Sequence, residues 1–293
     1  MSENIKCAPG VKKEGDTCIR LETLKNMGYK INKEETEKII NKNENNKINM
    51  KKELFKFIDN EMKKKDKKHS NQLKWFGSVL FKDLNENDMN TLMNYTFRPI
   101  GPIDYTWLSN FDIEKIFKQY EKIHKDFKFL GAVGNNFFQF MKFYKIDIKK
   151  EYLDKGIYKL GIIFNTDNYG ESGEHWVGCY INLENALNLD ENKNEKNVSE
   201  ILFCDSGGAN PKKEVKEFID FFIQFNNNRN YKTYYYINNT QQQHGDSECG
   251  VFSTIFIIQM LLGKSFNLYT SNNIQNINDD IIHSFRNILF NSL

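Results

Sequence analysis

One cysteine stands where a polar turn meets an apolar run, in Gln241-Gln-Gln-His-Gly-Asp-Ser-Glu-Cys-Gly-Val-Phe-Ser-Thr-Ile-Phe256. The run after Cys249 predicts a helix that stops near Gly263, with the thiol at its start. The positive end of a helix dipole favours thiolate, the form in which cysteine is a strong nucleophile. Such a nucleophile needs a base, usually histidine, and an acceptor that holds that histidine in the right tautomer. His175 is the candidate base: it opens a strand-like run, His175-Trp-Val-Gly-Cys-Tyr-Ile181, directly after a glycine-rich turn. A histidine at a strand end is rigid and open to substrate, and Trp176 beside it can wall off one side of a cleft. His244, five residues before the cysteine, is the rival. His69, His124 and His283 lie in contexts that suggest no catalytic role. Asp205, after the short apolar run Ile201-Leu-Phe-Cys204, is the candidate acceptor for the His175 imidazole. Gln243 can offer its side-chain NH2 to a developing oxyanion, with the Cys249 backbone N–H as a second donor. The bland readings are a surface histidine, a turn aspartate and a turn glutamine without a role.

The elements that must carry these residues divide the chain at about residue 95. Residues 1–95 read as polar and helical, an N-terminal arm, with residues 96–293 as the catalytic core. In the arm, Asn32-Lys-Glu-Glu35 has capping-box spacing, and Leu54, Phe55, Ile58 and Met62 form an apolar stripe on a helix from about Lys51 to Lys65. The lysines around residues 63–68 read as a solvated helix end. After the turn-rich Arg98-Pro-Ile-Gly-Pro102, a helix is expected from about Asp112 to Lys125. Strands are expected at Phe137–Tyr144, Tyr158–Phe164, His175–Ile181, Ile201–Cys204 and Thr233–Ile237. Between the last two, Asn210 caps and Pro211 opens a helix bearing Val215, Phe218, Ile219 and Phe222. A final helix, about Asp279 to Phe290, turns Ile281, Ile282, Phe285, Ile288 and Leu289 inward. The expected class is α+β or mixed α/β, with the nucleophile's helix central.

Phenylalanine, 24 of the 293 residues, supplies core volume that the modest 39% apolar share would not otherwise give. A net charge of +2 is too small to argue for nucleic acid or membrane binding. Five cysteines without repeated spacing read as reduced thiols rather than a disulfide framework. Cys7 and Cys18 bracket a small loop with no evident chemistry. Neither a CxxC nor an HxxxH pair occurs, so zinc is disfavoured, and no cofactor is expected. The first residues lack the apolar stretch of a signal peptide and no 18-residue apolar run exists, so the expectation is a soluble, intracellular protein.

The order His175-Trp176, Asp205, Gln243, Cys249-Gly250 resembles the SUMO-protease and adenain type of cysteine protease, whose pattern is HW, then D or N, then Q-x5-CG. Within that clan the chain resembles the polyprotein-processing proteases of African swine fever virus and other large DNA viruses. Gly101-Pro102, Leu108-Ser-Asn-Phe-Asp-Ile113, Phe164-Asn-Thr-Asp167, Asp205-Ser-Gly-Gly208 and Glu248-Cys-Gly250 carry that likeness. The African swine fever enzyme has asparagine in place of Asp205. The resemblance covers residue 97 onward and implies the fold of those proteases, a mixed sheet flanked by helices. It implies a peptidase that cuts after small residues in Gly-Gly-X, with virion precursor polyproteins as substrates. Trp176 and Asn165 would line the substrate cleft. The arm would meet viral core or capsid proteins, at assembly sites in the host cytoplasm and in the virion. The same set of residues also serves deconjugating enzymes for ubiquitin or SUMO, acyltransferases, and non-catalytic scaffolds on one fold.

Overall fold

Apolar residues on alternate positions pair five segments into one mixed sheet. In the computed structural model these are β1 (Phe127–Val133), β2 (Lys159–Asn165), β3 (Trp176–Asn182), β4 (Val198–Cys204) and β5 (Lys232–Ile237), hydrogen-bonded in that order. The central pairs β2–β3 and β3–β4 are antiparallel, and the outer pairs are parallel. The structure describes residues 5–65, 72–75, 93, 95–186, 188–189, 195–270 and 277–292. Contacts divide the chain into two units, Met1–Gly101 with Leu289–Leu293, and Pro102–Ile288.

Both faces of the sheet in the second unit are covered. On one, Leu160, Ile162, Phe164, Cys179, Ile181, Ile201 and Phe203 pack with Val215, Phe218 and Phe222 of the helix Lys213–Asn228. The intervening residues face the helix Cys249–Leu261. Gly161 and Gly178 let that helix approach: a Cβ on either would come within 2.8 Å of Ile257 or Phe256. Residues around the whole circumference of the Cys249 helix are buried, as expected of a helix inside a core.

In the first unit, α1 (Leu21–Ile31), α2 (Lys33–Lys42) and α3 (Lys47–Lys65) enclose Leu24, Met27, Ile39, Leu54, Ile58 and Met62. Asn32 ends α1 and caps α2, its side chain accepting from Glu35 N–H at 3.1 Å. The chain terminus returns here: Asn291 bonds the backbone of Lys6 and Arg98 through its side chain and that of Pro99 through its N–H.

Several expectations are overturned. Phe137–Phe143 is a helix, not a strand: the buried pair Phe138 and Met141 is three residues apart, and an almost unbroken aromatic run hides that period. β1 lies where no strand was expected, in a segment whose alternation is broken by a register shift between Phe129 and Gly131. The helix expected to be capped by Asn210 starts at Lys213 without a side-chain cap. In the final helix, Asp279–Leu289, Ile288 is exposed and Arg286 is buried. Cys7 and Cys18 form a disulfide, their Cα atoms 5.3 Å apart, so only Cys179, Cys204 and Cys249 are free. An odd cysteine count cannot reveal two thiols brought together by a turn. His69 and residues 66–68 of the lysine-rich stretch lie outside the described residues.

Candidate active site

Strand pairing assembles the site. β3 and β4 run antiparallel with Gly178 opposite Cys204, which brings the start of β3 and the end of β4 to one edge of the sheet. His175 precedes β3 and Asp205 follows β4, and His175 Nε2 meets Asp205 Oδ1 at 2.8 Å. The His175 carbonyl accepts from Thr166 N–H at 2.8 Å, fixing the backbone behind the ring. Asp205 is almost completely buried, and its Oδ1 also accepts from Gly207 N–H at 2.7 Å. With Nε2 engaged by Asp205, Nδ1 is the ring nitrogen left free to serve Cys249. Burial opposes the imidazolium. Hydrogen bonds to Asp205 and Cys249, with their negative charges, outweigh it and raise His175 to about 9. A protonated imidazole is the counter-charge beside which cysteine nucleophiles persist as thiolates.

Cys249 is the first residue of its helix, where backbone N–H groups have no partner within the helix. Gly250 follows, and a Cβ there would lie 3.0 Å from Leu108 and 3.3 Å from Trp176. Trp176 Nε1 donates to Leu108 O at 3.1 Å and Ser253 Oγ donates to Trp176 O at 3.0 Å, locking the tryptophan between the entry loop and the Cys249 helix. Gln243 is buried: its Oε1 accepts from Ser206 Oγ at 2.6 Å and its Nε2 donates to Gly245 O at 2.7 Å. An amide nitrogen carries two hydrogens, so one remains.

Asn165 and Trp176 are cross-strand partners at the ends of β2 and β3. Both line a cleft of about 750 Å³ whose walls include Phe137, Phe140, Tyr144 and Tyr169. Asn165 Oδ1 accepts from Asp167 N–H and Glu174 N–H at 2.9 and 3.3 Å, shaping the loop before His175. Neither Cys249 nor His175 lines this cleft, and Cys249 is only 2% exposed. His244 is exposed, and its backbone N–H is taken by Asp279 at 2.9 Å. His283 stacks on Tyr105 at 3.9 Å and bonds Glu248 at 3.1 Å.

Two residues with a role at the site escaped the sequence reading. Glu248, immediately before the cysteine, is paired with Arg286, and both are buried. Arg286 Nε reaches Glu248 at 2.9 and 3.1 Å, while its terminal nitrogens bond the carbonyls of Pro102, Thr106 and Ser247. The pair ties the start of the Cys249 helix to the entry loop. The signal was present: Ile282, Arg286 and Leu289 fall on one helical face, and the arginine sits where an apolar residue is expected. Among the described residues, no group of three or more His, Cys, Asp or Glu could hold a metal ion, and no helix is long and apolar enough to cross a membrane.

Residues 139–292 match the Ulp1 protease family, C-terminal catalytic domain. The chain is 38% identical over 200 residues to the putative thiol protease R355 of Acanthamoeba polyphaga mimivirus, a match covering 67% of this chain and 60% of that protein. A crystal structure of the ASFV pS273R protease superposes with a TM-score of 0.66 over 98% of this chain and 96% of that one, at 18% identity. At that identity the likeness speaks for the fold, the sheet and flanking helices described above. The matched span contains the sheet edge with His175 and Asp205, and the helix that begins at Cys249. The chain spans about 60% of the length of the mimivirus relative, and it belongs to the Ulp1 protease family.

Proposed function

We propose that Cys249, His175, Asp205 and Gln243 form the catalytic set of an endopeptidase that cuts after Gly-Gly in virion precursor polyproteins. The observation that carries this reading is His175 bonded to Asp205 at 2.8 Å, with Asp205 and Cys249 together favouring its charged form. In this mechanism the Cys249 thiolate attacks the carbonyl of the glycine. The remaining Gln243 N–H and backbone N–H groups at the helix start hold the oxyanion. His175, already protonated, gives its proton to the leaving amine, then takes one from the water that resolves the thioester. Asp205 orients the ring throughout.

The preference for glycine is supported by the close fit of Leu108, Gly250 and Trp176, and by the enclosure of Cys249. Trp176 and Asn165 are assigned to substrate binding, leading an extended chain from the cleft to the thiol. A viral precursor is favoured by the likeness to a mimivirus thiol protease and the ASFV pS273R protease. The arm, residues 1–95, is read as the part that meets core or capsid proteins during maturation.

The test is incubation with Gly-Gly-X peptides, mapping of the cut bond, and Cys249→Ala as control. Cleavage after the second glycine, absent in the variant, is expected. Uncut peptides together with rapid labelling of Cys249 by a ubiquitin-like tail probe would replace precursor processing with deconjugation.

A further inference from the structure

We propose that Ser206 is a positioning residue that locks the Gln243 amide with its nitrogen available to the oxyanion. The inference rests on the assignment of Gln243 as oxyanion donor. The two ends of a glutamine amide are nearly the same size, and only the hydrogen-bond partners decide which faces where. Here both ends are specified. Ser206 Oγ, itself 1% exposed, donates to Oε1 at 2.6 Å, and Gly245 O accepts from Nε2 at 2.7 Å. A flipped amide would put oxygen against the Gly245 carbonyl, two acceptors in contact.

Ser206 also holds the main chain of the same loop. Its carbonyl accepts from Gln242 N–H at 2.8 Å and Gln243 N–H at 2.9 Å. Side chain and backbone of Gln243 are therefore referenced to one residue, and that residue follows Asp205. The acid that orients the histidine and the amide that receives the oxyanion are set from adjacent positions at the end of β4. Without the Ser206 hydroxyl, Gln243 Oε1 is left buried without this donor, and the amide turns away to recover one. Gly245 O alone then biases the orientation, so the loss is partial.

The experiment measures kcat, KM, the pH profile and the rate of Cys249 alkylation by iodoacetamide for Ser206→Ala, Gln243→Ala and the double variant. Misplacement of a preorganised group predicts a kcat loss of roughly tenfold for Ser206→Ala, against about 100-fold for Gln243→Ala. KM, the alkaline limb and alkylation stay as in the parent, because His175 and Cys249 are untouched. The double variant is no slower than Gln243→Ala alone. Ser206→Thr keeps the hydroxyl and restores kcat. Ser206→Cys, similar in size but a weak donor, stays impaired and separates the hydrogen bond from packing if the alanine variant misfolds.

Parent-like kcat in Ser206→Ala and Ser206→Cys, with Gln243→Ala impaired, overturns the inference alone. Losses that add in the double variant, or a moved alkaline limb, overturn it by placing the effect elsewhere than on Gln243. Parent-like kcat in Gln243→Ala removes the oxyanion assignment beneath it.

Discussion

The two units handle charge differently. In the first, paired charges lie at the surface: Lys38 with Glu34, Lys42 with Glu53, and Lys63 with Asp59, over a core of Leu, Ile and Met. In the second, the decisive charges are inside or partly so: Arg286 with Glu248, both buried, and the partly exposed His175 with the buried Asp205. Solvated pairs contribute little, since water competes for each partner. A buried pair has given up its hydration, and removing one member strands the other. The first unit is thus held by apolar packing and a disulfide. The second carries an internal polar framework whose members depend on each other.

That contrast can be broken most sharply at Arg286. Arg286→Met should destabilise the second unit by about 3–5 kcal/mol, by leaving the buried Glu248 without its arginine and with only the partly exposed His283 as an ionic partner. Pairing it with Glu248→Leu should recover much of the loss, read from urea unfolding. If the single substitution is silent, the framework does not work as described. Next comes the first unit's staple. Cys7 and Cys18 are 11 residues apart, and opening the bridge in Cys7→Ser/Cys18→Ser should cost about 2–4 kcal/mol, read as an earlier unfolding transition under the same buffer.

A smaller effect sharpens the electrostatic side. His175, raised to about 9, stays protonated through neutral pH. Peptide cleavage should therefore hold until its alkaline limb near 9, where the proton for the leaving amine is lost. Asp205→Asn removes a charge that favours the imidazolium, so the limb should move down by about one to two pH units, or about 1.4–2.7 kcal/mol. A limb that stays in place would disconnect Asp205 from His175. The same shift bears on stability: a histidine raised on folding stabilises fully below its unfolded value near 6.5, and that contribution fades as pH rises through 9. Least of all, Lys38→Ala should leave the unfolding midpoint unmoved, since the Lys38–Glu34 pair is fully solvated.

Much of the candidate site was legible because each member carries a local mark. Cys249 begins an apolar helix, His175 and Asp205 flank strands, and Gln243 sits in the turn before the cysteine. What stayed hidden depends on partners far along the chain. Charged residues are assigned to the surface by default, so Glu248 and Arg286, 38 positions apart, gave no reason to be joined. Ser206 reads as one more turn serine until its hydroxyl is seen against Gln243. The phenylalanine-rich segment 137–143 satisfies helix and strand templates alike, and the protein resolves it by burying Phe138 and Met141 while leaving Phe140 and Phe143 exposed.

The enclosure of Cys249 has a consequence for anything meant to react with it. A thiol with 2% of its residue surface open, beside a glycine packed against Leu108 and Trp176, should sort electrophiles by cross-section before it sorts them by reactivity. Slim warheads, such as a nitrile or an aldehyde, should label it faster than branched or aromatic electrophiles of equal intrinsic reactivity. If the cleft leads to the thiol as proposed, selective covalent ligands for this protein need narrowness at the tip and breadth further back, where the aromatic walls of the cleft offer the contact area.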